Sequence, residues 1–226
     1  MRDPKIPRYL RKYWKWKYAT LLLVLLDYYI VMPFVGVDST NSPTFVMAEL
    51  GVMLCCVLAT ARSKPIMAAA VFLTIAAEFS SDSRSAFHLM FFGLILWVVL
   101  GDVLRGRAVT TDKILGALCG FLLLGMAFAL LYTSLESYHP GSFQTNESDD
   151  SLFLYFSLVS LTTLGYGDIA PLTPQARVLC ASEAVVGQFY IAVVVARLVS
   201  IQLATTQRAN LRKQEKAKPN SPDVKL

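Results

Sequence analysis

The sequence predicts an all-α membrane protein: six membrane-crossing helices and, between the fifth and sixth, a short helix that enters the bilayer without crossing it. Three observations predict this. Hydrophobic residues make up 55% of the chain and the mean hydropathy is +0.50, beyond an ordinary soluble domain. Six apolar runs, at about 19–36, 44–61, 65–80, 86–104, 112–133 and 177–203, approach the roughly 20 residues that cross a bilayer as a helix. A further apolar run, 151–162, is too short to cross, and Thr162-Thr163-Leu164-Gly165-Tyr166-Gly167-Asp168 follows it at once. Backbone that stops at membrane depth is tolerated only where it is buried in protein or lines water.

Taken in order, residues 1–18 mix basic side chains with Tyr9, Tyr13, Trp14 and Trp16, which suits a helix lying in the cytoplasmic interface with its rings at headgroup depth. The apolar run that follows is too long for the core of a signal peptide and shows no clear small-residue cleavage site, so it is expected to be a retained first span. Spans one to four form one block, 19–104, in which the tight Ala61-Arg62-Ser63-Lys64 connection makes spans two and three an antiparallel pair. A polar linker, 105–113, leads to a second block, 114–206, holding the fifth span, an acidic outer loop with the turn signal Pro140-Gly141, the short helix, the glycine loop and the sixth span. The tail 207–226 is polar, carries two prolines and is expected to be disordered. No internal repeat is evident, so each chain supplies one glycine loop.

Basic residues prefer cytoplasmic loops. With both termini inside, all of the 21 Lys and Arg except Arg84, Arg177 and Arg197 fall on the cytoplasmic side, while Glu136, Glu147, Asp149 and Asp150 fall outside. The net charge of +5 therefore reflects topology and contact with anionic lipid, and nucleic acid is not an expected partner. Cys55, Cys56, Cys119 and Cys180 all lie in apolar runs, with spacing that suits neither a zinc site nor a disulfide framework; packing thiols are expected. No nucleophile–base set appears, and the only histidines are His88 and His139, so the sequence predicts no enzyme and no cofactor. Asn146-Glu147-Ser148 is a glycosylation sequon, meaningful only in a eukaryotic secretory route.

The glycine loop has a narrow physical purpose. An ion's hydration shell can be replaced by rings of backbone carbonyls from several copies of one loop. Aiming successive carbonyls along one line needs backbone of alternating handedness, which only glycine adopts at little cost; hence Gly165 and Gly167. Thr163 can add a hydroxyl ring below, and Tyr166 can point outward and brace the loop.

In these residues, Thr162 to Asp168, and in the flanking helices, about 112–204, the chain resembles the potassium-channel superfamily. The resemblance implies a potassium-selective pore built by a homotetramer, with K+ bound at Thr163, Leu164, Gly165, Tyr166 and Gly167. It places Tyr155 and Phe156 among aromatic residues packed around the filter tyrosine, with Tyr155 in reach of Asp168 or in ordinary ring contact. Gly187 falls nineteen residues beyond Asp168, where the family carries an inner-helix hinge; close helix packing is the alternative. Counting turns from Gly187 places Gln188, Ile191, Ala192 and Val195 on the pore side. Glu183, an acid inside an apolar helix, is expected behind the short helix in reach of Ser160 or Thr162, bracing the filter as a protonated carboxyl. Arg197 falls near the cytoplasmic mouth.

The six-span plan also resembles voltage-gated channels, whose fourth span carries arginine at every third position. Here the fourth span has His88 and no arginine between Ala86 and Leu104, so voltage sensing by that route is not expected. Glu49, Glu78, Arg84 and His88 share the outer half, as a structural network or an external proton sensor; Asp27 lies near mid-membrane with no partner evident. The functional expectation is passive K+ conduction in a plasma or bacterial inner membrane. The alternatives are a non-conducting or modulatory channel subunit and a weakly selective cation channel.

Overall fold

A computed structural model describes residues 17–31, 51–57, 64–79, 84–104, 110–144 and 151–217. Its helices are α1 (Lys17–Val31), α2 (Lys64–Phe79), α3 (Arg84–Leu104), α4 (Thr111–Tyr138), α5 (Ser151–Leu161) and α6 (Pro174–Ala217), with a helical stretch at 51–57. Two short strands, β1 (Phe143–Gln144) and β2 (Ala170–Pro171), pair antiparallel. Among the described residues, three helical segments are long and apolar enough to cross a membrane: Ala86–Leu104, Thr111–Tyr138 and Pro174–Ala204. The described parts of the first and third expected spans, α1 and α2, are apolar helices of 15 and 16 residues. The interfacial N-terminus, Glu49, the Arg62 turn, most of the 105–113 linker, the sequon and the chain beyond Ala217 lie outside the described residues, as do the side chains of Glu78 and Arg84.

Helix ends follow local chemistry. Thr110 caps α4, its side chain accepting from the Lys113 N–H, and Asp112 adds a negative charge to the first turn. Thr173 does the same for α6, accepting from the Ala176 N–H at 3.3 Å, with Pro174 at the first helical position where its missing N–H costs nothing. The outer end of α4 turns through His139, Pro140 and Gly141, the last at φ 83°. There the Glu136 carboxylate accepts from the Gly141 N–H at 2.7 Å and the Phe143 N–H at 3.1 Å.

One expectation is corrected. The polar tail from 207 is helical as far as Ala217, continuing α6 to 44 residues. At 1.5 Å per residue this is about 66 Å, roughly twice a hydrocarbon core of ~30 Å. A polar composition fits a solvated helix as well as a coil. Extending an existing helix avoids the nucleation cost, and the first breaker, Pro219, comes only after Ala217.

Two apolar clusters organise the packing. The first joins α1, residues 51–57, α2, α3 and α4 around Leu21, Leu25, Met53, Phe91, Ile95 and Leu123. The second joins α4, α5, β1 and α6 around Tyr132, Phe143, Phe153, Phe156 and Leu161. Helix α4 belongs to both, and its glycines are notches for tyrosines. A Cβ on Gly116 would meet the Tyr18 ring at 2.9 Å, one on Gly120 the Tyr190 hydroxyl at 2.5 Å, and one on Gly125 the Tyr29 hydroxyl at 3.0 Å. Tyr190 donates to the Ala117 carbonyl at 2.6 Å and Tyr29 to the Leu122 carbonyl at 2.7 Å, so each ring is fixed at its polar tip. Where α1 begins, Asp102 of α3 accepts from Lys17 and Tyr18, each at 2.9 Å, and Asp112 accepts from the Tyr18 N–H. Arg197 of α6 donates to the Leu104 carbonyl at 3.0 Å, a terminal acceptor of α3. His88 is buried, and Asp27 stands exposed on α1.

Candidate functional site

Helix α5 ends by a backbone motif that also starts the glycine loop. The Thr163 N–H donates to the Ser160 carbonyl at 3.0 Å and the Leu164 N–H to the Val159 carbonyl at 2.9 Å. Thr163 itself is left-handed, at φ 59°. This is the double-bonded helix C-terminus in which glycine is usual at the left-handed position. Threonine there costs about 1–2 kcal/mol relative to a right-handed backbone, so packing and hydrogen bonds must hold it. Gly165 at φ 60° and Gly167 at φ 80° follow, giving positive φ at every second residue. A Cβ on either glycine would meet no atom within 4 Å inside the chain, so conformation and not crowding calls for glycine there. The sequence foretold the two glycines. Thr163 escaped it, because nothing in a threonine announces a left-handed backbone.

The loop is tethered at its far end. Tyr155 donates to Asp168 Oδ2 at 2.8 Å, the more specific of the two expectations for this pair, and that bond holds the Tyr155 hydroxyl above its usual pKa. β2 follows two residues later and pairs with β1, and the Leu172 N–H donates to the Ser142 carbonyl at 2.8 Å. Within the chain Phe156 packs against Tyr132 at 5.2 Å and Phe143 at 5.7 Å. Thr162 returns its hydroxyl to the Leu158 carbonyl at 2.7 Å.

Glu183 is fully buried, but its partners differ from those expected. Tyr132 donates to Oε2 at 2.5 Å, and Ser157 is hydrogen-bonded to Oε1. Ser160 and Thr162 are not among them; Ser157, one turn earlier on α5, faces α6 instead. Tyr132 was not singled out from sequence, being one aromatic residue among many in an apolar helix. Gly187, one turn further on, packs on the end of α5: a Cβ would meet Leu161 Cδ1 at 2.8 Å and the Leu161 carbonyl at 3.0 Å. Close packing, the alternative to a hinge, thus has a named partner, and α6 runs helical through Gly187.

Below the loop a cavity is lined by Thr163, Ala184, Val185, Gln188, Phe189 and Ala192. Gln188 and Ala192 were expected on this face; Ala184, Val185 and Phe189 were not. Ile191 and Val195 are exposed and lie outside that lining. The loop from Thr162 to Asp168 is exposed throughout, with Leu164 at 56% and Tyr166 at 67%.

Two long apolar helices thus flank a short helix and an exposed loop of alternating φ, and this is the part of the chain that comparison with known proteins picks out. Residues 116–202 match the family described as Ion channel. Over 76 residues the chain is 34% identical to "Potassium channel K2" of Plasmodium falciparum (isolate 3D7) and to its namesake in Plasmodium berghei (strain Anka), covering 31% of this chain and 5% of each relative. Over 89 residues it is 33% identical to "Two pore potassium channel c" of Oryza sativa subsp. japonica, covering 38% of this chain and 18% of the relative. The chain therefore spans only a small part of these relatives. The likeness is to proteins named as potassium channels.

Proposed function

We propose that this protein is a potassium-selective channel that conducts K+ passively through a filter built by four copies of the chain. The observation that carries the reading is the alternation of positive φ at Thr163, Gly165 and Gly167 directly after the end of α5. With every second residue left-handed, successive carbonyls from Thr163 to Gly167 turn the same way, and four copies around one axis form stacked oxygen rings for a dehydrated cation. Exposed Leu164, Tyr166, Val185 and Phe189 find cover against neighbouring copies in that assembly. The carboxyl end of α5, with its partial negative charge, lies at the Thr163 side of the loop, where it favours a cation in the cavity. Gln188 and Ala192 line that cavity, and Ile191 and Val195 continue the inner face below it. Asp168, Tyr155 and Glu183 brace the loop from outside and behind.

The remaining expectations join this proposal: six spans, cytoplasmic termini, anionic lipid at the inner surface, and a plasma or bacterial inner membrane. The test is reconstitution of the full chain under a K+/Na+ gradient. The reversal potential is expected near that of K+, and equal permeability to Na+ sinks the filter assignment. Gly165→Ala and Gly167→Ala each force a Cβ into a positive-φ backbone, at about 1–2 kcal/mol per subunit, and are expected to abolish selective current. Normal selective current in both overturns the backbone argument.

A further inference from the structure

The buried contacts around Glu183 contain a proton count. The Ser157 hydroxyl carries one proton and lies against two oxygens, the Gly125 carbonyl at 2.8 Å and Glu183 Oε1. A carbonyl only accepts, so the contact with Gly125 uses the serine's own proton. The contact with Oε1 then requires a proton from the carboxyl. Tyr132 donates to Oε2, which completes the pattern of a neutral acid: one oxygen donating, the other accepting. Burial points the same way. Glu183, Ser157 and Tyr132 are each 0% exposed, and the ion pair found among the described residues, Lys17 with Asp102, lies elsewhere. A buried carboxylate without a cation is costly, and a neutral acid with both oxygens bonded is not.

We infer that Glu183 is a neutral positioning acid whose Oε1–H donates to Ser157, so that one proton clasps the inner helix α6, the pore helix α5 and the outer helix α4 together behind the filter. The chain of donors runs from Tyr132 to Glu183, from Glu183 to Ser157, and from Ser157 to the Gly125 carbonyl. Each link joins a different pair of helices. Loss of the proton leaves Ser157 with two acceptors and one hydrogen, so either Glu183 or Gly125 loses its bond and α5 is freed from one neighbour. The inference deepens the bracing role proposed for Glu183 and rests on that reading, but the protonation state can be read without any current.

The experiment is infrared difference spectroscopy on the reconstituted full chain, wild type minus Glu183→Gln. The expected difference is the carbonyl band of a protonated carboxylic acid, one group per subunit, shifted down in heavy water. Ser157→Ala keeps the acid but removes its acceptor, and is expected to move the band to higher frequency. It reads the same proton without altering Glu183. Carboxylate stretching bands in the first difference, or a band that Ser157→Ala leaves in place, overturn the inference. Glu183→Gln presents an amide donor to Ser157 and a carbonyl to Tyr132, so it is expected to keep the wild-type reversal potential; a changed reversal potential also counts against the clasp. Wild-type protein that shows the acid band but passes no K+ refutes the proposed function and leaves the proton where it is placed here.

Discussion

Gly187 and Gly167 show how one residue type serves two purposes. At Gly167 the backbone needs positive φ and the space for a side chain is open; at Gly187 the backbone is ordinary helix and the space is taken by Leu161. The two are separable by substitution. Gly187→Ala places a methyl 3.0 Å from the Leu161 carbonyl, a backbone atom at the end of the pore helix that cannot swing away. Overpacking of this kind costs about 1–3 kcal/mol. Because Leu161 is two residues before Thr163, the strain is expected to reach the filter: lower thermal stability of the assembled protein and a weakened preference for K+ over Na+. Unchanged selectivity with an altered open probability is the opposite result, and identifies Gly187 as a hinge in place of a packing notch. The glycines were legible in the sequence as positions of interest. The purpose of Gly167 was legible too, but that of Gly187 was not, because it depends on what approaches from a helix 26 residues away.

At the scale of elements, α4 is the shared wall between the first block and the pore. Its notches at Gly116, Gly120 and Gly125 seat one tyrosine each, two from α1 and one from α6. Three small residues in an apolar span read from sequence only as close packing, without naming what packs. Tyr190→Phe removes the bond to the Ala117 carbonyl while keeping the ring, and is expected to destabilise the protein by about 1 kcal/mol. Gly120→Ala displaces the hydroxyl that a Cβ would meet at 2.5 Å, so it removes the same bond and adds crowding. Thermal melts of the two single variants and the double variant check this. The double variant is expected to lose less than the sum of the singles, and strict additivity means that the notch and the hydroxyl are independent. The end of α5 teaches a related lesson. Helix length and the two glycines are local and were readable, whereas left-handed Thr163 is imposed by the carbonyls of Val159 and Ser160.

At the scale of the whole molecule, the first block meets the second along α4 and at the C-terminal end of α3, through Lys17 with Asp102 and through Arg197 with the last carbonyl of α3. Such a frame can transmit motion, but α3 carries little charge to be moved by a field. Between Ala86 and Leu104 it holds buried His88 and, near its C-terminal end, Asp102. Each elementary charge crossing 100 mV supplies about 2.3 kcal/mol. Open probability is therefore expected to change shallowly with voltage in single-channel records from the reconstituted chain. A steep activation curve, equivalent to several gating charges per subunit, assigns that charge to Asp27 or to groups outside the described residues and refutes the passive reading of this block.

Apolar length, the short helix that cannot cross and the alternate glycines were determined by the sequence alone, because each is set by a residue and its immediate neighbours. Hydrophobic length measures a bilayer, and a missing Cβ permits a positive φ, whatever the rest of the chain does. The partners of Glu183 and the seat of Gly187 on Leu161 were decided only in three dimensions. Ser157 and Tyr132 lie 26 and 51 residues from Glu183 and sit on two other helices. Whether they meet depends on how far each helix is rotated about its own axis, and that rotation is the joint result of all the packed side chains between them.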